Sequence, residues 1–155
     1  MPRRVRKDRR GGFAISLEPA EREILRSLPA ILRSVIGTGD ADDPAMRRLF
    51  PRAFMDDEGA SAEFDAVVRE DLVAQRMAAI ETLERTAGSE RLSEDELVGW
   101  LGAMNDLRLV IGVRLAVTEE STARDYAGDQ KDERAYALYA YLTALEDDVV
   151  RALAD

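Results

Sequence analysis

The run from Trp100 to Leu115 (WLGAMNDLRLVIGVRL) is the most apolar stretch of the chain, and it dictates what the other segments must do. Leu97, Trp100, Met104, Leu107 and Ile111 recur at spacings of three and four, with Val110, Val113 and Val117 on the flank. This is the periodicity of a helix buried on nearly every side. Such a helix has to be surrounded, which points to a mainly α fold, a helical bundle around a central buried helix. Asn105 and Arg108 interrupt the pattern, one turn apart on a stripe with Leu101, Gly112 and Leu115. Burying an amide-like group without a partner costs roughly 2 to 7 kcal/mol and a charge more, so Arg108 demands company. One reading is an internal salt bridge to a carboxylate of another helix, for which the forked guanidinium is well suited. The other is that Asn105, Asp106, Arg108 and Arg114 line a surface that recognises a partner protein.

The flanking segments supply a bundle. Ser93 followed by Glu96 is a capping box that fixes the start of the central helix. Ahead of it, Ser61 is placed to cap a helix running to about Ala87, with Phe64, Val68, Leu72, Ala79 and Leu83 on one face and Gly88 as its stop. Pro19 opens an earlier helix with the stripe Ile24, Leu28, Ile31 and Val35, which Pro29 should kink or split. The polar chain from Glu119 to Asp132 reads as a loop. Beyond it Ala135, Leu138, Leu142, Leu145, Val149 and Leu153 give the most regular amphipathic helix. Phe13 to Leu17 alternates like a short strand at the N-terminal end, with Val113 to Thr118 as a candidate partner if that segment is extended. Gly37 to Pro44 is an acidic turn-rich loop without the spacing of a calcium loop. In Ala45 to Phe54 the aromatics anchor a linker to the core, while Arg47, Arg48 and Arg52 meet acidic neighbours.

Charge divides the chain. Arg3, Arg4, Arg6, Lys7, Arg9 and Arg10 stand against one acid, Asp8, so residues 1–10 carry +5; removing this from the whole-chain charge of −9 leaves −14 for the remainder. We expect residues 1–12 to be a basic, flexible arm and residues 13–155 a single helical domain. An acidic body repels phosphates, which argues against DNA binding by the folded part; the basic arm remains a candidate nucleic-acid contact. A helix-turn-helix drawn into the central helix would push its apolar residues into the groove, which speaks against that reading. Cysteine and histidine are both absent, which excludes thiol nucleophiles, disulfides, Cys/His zinc sites and histidine acid-base chemistry. No phosphate-binding glycine loop or catalytic carboxylate arrangement is present. The expectation is a non-enzyme without metal or cofactor. With no long apolar segment and no leader pattern, it is expected to be cytoplasmic and not membrane-bound.

The run WLxxMNDLRLVIGxRL, with Arg48-Leu49-Phe50-Pro51-Arg52-Ala53-Phe54 upstream and Tyr139-x-Tyr141-Leu142-Thr143-x-Leu145-Glu146 downstream, resembles a small actinobacterial family. Its members are mostly catalogued as a domain of unknown function and include the AosR-type oxidative-stress regulators. The resemblance implies a transcription-linked stress regulator that acts through protein contacts, with a sigma factor or RNA polymerase as partner. The redox switch of AosR-type members is linked to a cysteine pair, and this chain has no cysteine. An acidic body is compatible with a basic sigma factor through charge complementarity. The alternative is a homodimeric scaffold or adaptor without a transcriptional role, with the central or C-terminal helix as the contact face; Tyr136, Tyr139 and Tyr141 fit such an interface and fit a bundle core equally well.

Overall fold

The computed structural model describes residues 3–38, 43–50 and 61–155, with residues 38 and 61–66 described by their backbone alone. In chain order the elements are β1 (Val5–Lys7), β2 (Phe13–Ile15), α1 (Pro19–Thr38), α2 (Pro44–Leu49), α3 (Ser61–Thr86), β3 (Arg91–Leu92), α4 (Glu94–Leu115), a 3-10 turn (Ala123–Tyr126) and α5 (Gln130–Ala154). The strands form an antiparallel sheet in the order β1-β2-β3 at one end of the bundle.

The apolar run does become the central helix. α4 packs against α1, α2, α3 and α5, and Leu97, Trp100, Met104 and Leu107 are wholly buried. Its start is set by the reciprocal Ser93 and Glu96 cap. Its end is a left-handed turn at Ala116 (φ 53°), where the amides of Ala116 and Val117 reach back to the carbonyls of Val113 and Gly112. The Trp100 indole has its own polar answer: Nε1 donates to Thr86 Oγ1 at 2.6 Å, and Thr86 in turn donates to the Thr82 carbonyl. Around Trp100 the main core draws Val5, Phe13 and Ile15 from the strands, Leu25 and Leu28 from α1, Leu83 from α3, and Leu142, Leu145 and Val149 from α5. A smaller cluster holds α2 in place through Ala45, Met46, Leu49 and Phe50 against Val35 and Val110.

Several expectations need correction. Residues 3–12, expected to form a flexible arm, instead contribute β1 and its turn, with Val5 wholly buried. An apolar residue between basic neighbours is enough to tether the segment, because β1 pairs with β2 in the register Val5 to Ile15 and Lys7 to Phe13. The strand partners of Phe13–Ile15 are β1 and β3; Val113 to Leu115 remain helical. Pro29 does not split α1. An interior proline costs about 3 kcal/mol, but Leu25, Leu28, Leu32 and Val35 are buried on both sides of it and hold the helix to the core. Ile31, placed on the buried stripe from sequence, is 37% exposed, and Leu32 takes the position. The segment 119–132 is not all loop, since it contains the 3-10 turn and the first turn of α5. Residues 39–42 of the acidic loop, Arg52 and Phe54 of the linker, and the side chains of Ser61 and Phe64 lie outside the described residues.

The hairpin joining β1 and β2 depends on glycine. Gly12 has φ +76°, and a Cβ there would lie 2.9 Å from the Leu92 carbonyl oxygen, so the turn and the β2-β3 contact both need its missing side chain.

A polar seam along the central helix

Asn105, Asp106, Arg108 and Arg114 do not form one cluster; the helix distributes them to different neighbours. Arg108 points toward α5, where one guanidinium nitrogen bonds Glu146 Oε2 and the planar group lies 5.2 Å from the Tyr139 ring centroid. Its side chain is 26% exposed and that of Glu146 10%. Arg108 Nε and Glu146 Oε1 are buried without a hydrogen-bond partner. Burial pushes the Glu146 carboxyl above its ordinary pKa, with the hydrogen bond and charge of Arg108 pulling the other way. For Arg108 burial opposes the cation, but the Glu146 bond and charge prevail and its pKa is raised. The internal salt bridge was therefore the correct alternative for this residue, and Glu146 is the partner that sequence left unnamed.

Asp106 faces the opposite way. It is 5% exposed and pairs with Arg76 of α3, Oδ1 to guanidinium at 3.2 Å. Burial raises the Asp106 pKa, and the Arg76 charge offsets part of that. Arg76 also bonds the Leu49 carbonyl through Nε at 3.2 Å and through a second nitrogen, and lies 5.2 Å from the Phe50 ring. One arginine thus closes the C-terminus of α2, whose last carbonyls have no partner within the helix.

Asn105 is exposed, contrary to its reading as an amide in a buried stripe. The reason is that α4 is not covered all round. Val98, Leu101, Asn105, Leu109 and Gly112 follow one another by three or four residues, with Gly102 beside them, and all are exposed or half-buried. Arg108 borders this open line, and Val98 is 52% exposed. Small residues let neighbours close in beside it: a Cβ on Gly102 would touch Ala79, and one on Gly112 would touch Tyr139. Arg114, 54% exposed in its side chain, lies 3.9 Å from Asp43 at the start of α2.

The basic N-terminal residues divide as well. Arg4 bonds Glu21 at 2.6 Å, lies 3.6 Å from Asp148 and stacks 5.6 Å from the Tyr141 ring. The Tyr141 pKa is raised, by burial first and then by the Glu21 charge. Arg3 pairs with Asp155 at 2.9 Å. Arg6, Lys7, Arg9 and Arg10 are exposed.

Sequence reasoning missed Arg76, Glu146 and the burial of Asp106. Two of these carried a signal: Glu146 stands in the stripe Leu142, Leu145, Val149, and Asp106 beside Ala103 and Val110, so each acid lies on an apolar face. Nothing in the neighbourhood of Arg76 marked it. Among the described residues no group of three or more His, Cys, Asp or Glu side chains is arranged to hold a metal, and no helix is long and apolar enough to cross a membrane.

Comparison with known proteins adds kinship to this geometry. The chain is 31% identical over 138 residues to the oxidative stress regulator AosR of Mycobacterium tuberculosis and, equally, of Mycobacterium bovis, covering 76% of this chain and 63% of the relative. It is 31% identical over 129 residues to the putative oxidative stress regulator AosR of Mycobacterium leprae, covering 72% of this chain and 59% of that protein. The chain thus spans about three-fifths of the length of these relatives. No solved structure matches. The family model described as "Domain of unknown function (DUF2017)" matches residues 2–153, and by that match the chain belongs to the DUF2017 family.

Proposed function

We propose that this protein is a regulator in the response to oxidative stress that acts by binding another protein, with an alternative sigma factor as the partner and the open line of α4 as the contact. The similarity to proteins named oxidative stress regulator carries the regulatory part of the reading. Support for the contact comes from Val98 and Asn105, which are exposed on a helix otherwise packed into the core, beside Leu101 and Leu109, which are half-buried and packed in part against the core clusters. An apolar centre with a few polar groups is the composition of a protein interface. A charge of −14 over residues 11–155 suits a basic, DNA-binding partner and speeds its encounter. The proposed mode of action is occupancy of the partner, and this chain brings no thiol to the sensing of the signal, since it contains no cysteine.

The test is titration calorimetry with purified sigma factors of the source organism, using wild type, Val98→Arg and Asn105→Arg. Both substitutions lie on exposed positions, so melting should be unchanged. The expected result is binding by wild type, weakened at least about tenfold in each variant, which corresponds to about 1.4 kcal/mol. Equal binding by folded variants would remove α4 as the contact; no binding by wild type would remove the sigma factor.

A further inference from the structure

The turn of the β1-β2 hairpin concentrates positive charge on a molecule that is otherwise acidic. Arg6, Lys7, Arg9 and Arg10 are exposed and make no ion pair with any described residue. The one acid among them has been neutralised in place: Asp8 accepts the Arg10 amide at 3.1 Å and pairs with Arg91 at 2.5 Å. Arg91 also donates to the Gly11 carbonyl at 2.9 Å, which braces the turn from β3. Counting Arg91 with the four exposed cations against Asp8, this small projection carries +4. It is a built element, since Val5 and Phe13 anchor both of its strands in the core.

We propose that this hairpin turn is a nucleic-acid contact, a basic corner of the three-stranded sheet that binds backbone phosphates of a duplex while the acidic body stays outside. Four cations fall within the five residues Arg6 to Arg10, a density that suits the closely spaced phosphates of a duplex, which carries one negative charge per about 1.7 Å of its axis. At the tip Gly11 has no side chain and open space around it, so the backbone can approach a phosphate closely. Arg3 and Arg4 take no part, because Asp155, Glu21 and Asp148 already hold them. Binding is electrostatic and independent of sequence.

The experiment is fluorescence anisotropy of a labelled duplex DNA of mixed sequence with the full chain, from 20 to 200 mM NaCl. Four phosphate contacts predict a slope of log K against log salt of about −3.6, a loss of roughly 150-fold between 50 and 200 mM. Replacing Arg6, Lys7, Arg9 and Arg10 together by Gln should abolish the binding. The double variant Arg9→Gln/Arg10→Gln touches the turn alone; it should halve the slope to about −1.8, roughly a 12-fold loss over the same interval. Should the fourfold variant lose its fold by circular dichroism, the double variant decides. The proposal is overturned if wild type fails to bind at 20 mM NaCl, or if the slope is unchanged in the folded variants. It is also overturned if poly-glutamate of equal charge competes as well as the duplex, which would assign the hairpin to an acidic protein. A single strand of the same sequence binding as tightly would remove the duplex as the target.

Discussion

Replacing Arg108 by Ala leaves Glu146 in a site where its side chain is 10% exposed, without the cation that offsets its burial. Breaking a fully buried pair from one side costs about 3 to 5 kcal/mol. Arg108 retains 26% exposure of its side chain, so part of the interaction is screened and we expect about 2 to 3 kcal/mol at pH 7.5. For a domain of this size that is a fall in Tm of about 5 to 10 °C. The cost has a pH signature. Glu146 already titrates above its ordinary value of 4.5 because of burial, and the lost hydrogen bond and charge move it higher still. A carboxyl whose folded pKa is raised binds protons more tightly in the folded state, so its contribution to stability is full below the unfolded pKa and declines as pH rises through the folded one. The deficit of Arg108→Ala should therefore shrink to about 1 kcal/mol near pH 4, where only the stacking on Tyr139 and the stem packing are missed. Glu146→Ala should cost less, about 1 kcal/mol, since the orphaned guanidinium can turn toward water. The double replacement by leucines should come within about 1 kcal/mol of wild type. Urea unfolding at pH 4 and pH 7.5 measures all of these. A deficit below about 0.5 kcal/mol at pH 7.5, or one that does not change with pH, would refute the burial argument.

Three further outcomes follow from the same physical arguments. Thr86→Val keeps the shape but leaves the Trp100 indole N–H buried without an acceptor, and should cost about 1 to 3 kcal/mol in urea unfolding followed by the fluorescence of the single tryptophan. Ala116→Gly relieves a left-handed conformation that disfavours any side chain, and should raise stability by about 0.5 to 1 kcal/mol, read as a higher urea midpoint at unchanged slope. Asp106→Asn removes a carboxyl whose folded pKa is raised by burial; its melting temperature relative to wild type should rise as pH increases above the ordinary value of 3.8, the opposite sign to a carboxylate held ionised by its partners.

The bundle was legible because its signals are local. The spacing of Leu97, Trp100, Met104 and Leu107, and the Ser93 cap three residues before Glu96, specify α4 without reference to any other segment. The pairing of α4 with its neighbours was not legible. Arg108 announced that it needed a carboxylate, but any of the acids on α1, α3 and α5 could have answered, and only packing brings Glu146 to it. Arg76 was invisible for the same reason, since its work is done on a carbonyl at Leu49 that no side-chain pattern reveals. The N-terminal segment misled through composition: six basic residues read as solvated chain, yet a single Val5 facing Ile15 outweighs them and makes a strand. Asn105 misled through periodicity, because the stripe it shares with Leu101 and Gly112 is the one side of α4 left half open. Local rules identify a helix; which of its faces is covered is a property of the assembly.

That open face is the centre of the functional account, and photocrosslinking in the native cell tests it most directly. A photoreactive amino acid placed at Asn105 lies on the exposed line of α4, whereas one at Val150, 51% exposed on α5, serves as the control elsewhere on the surface. The account predicts that the residue 105 probe captures a sigma factor, identified by mass spectrometry, under oxidative stress, and that the residue 150 probe does not. Crosslinks from residue 105 to a second copy of this chain alone, or equal capture of the sigma factor from both positions, would contradict it.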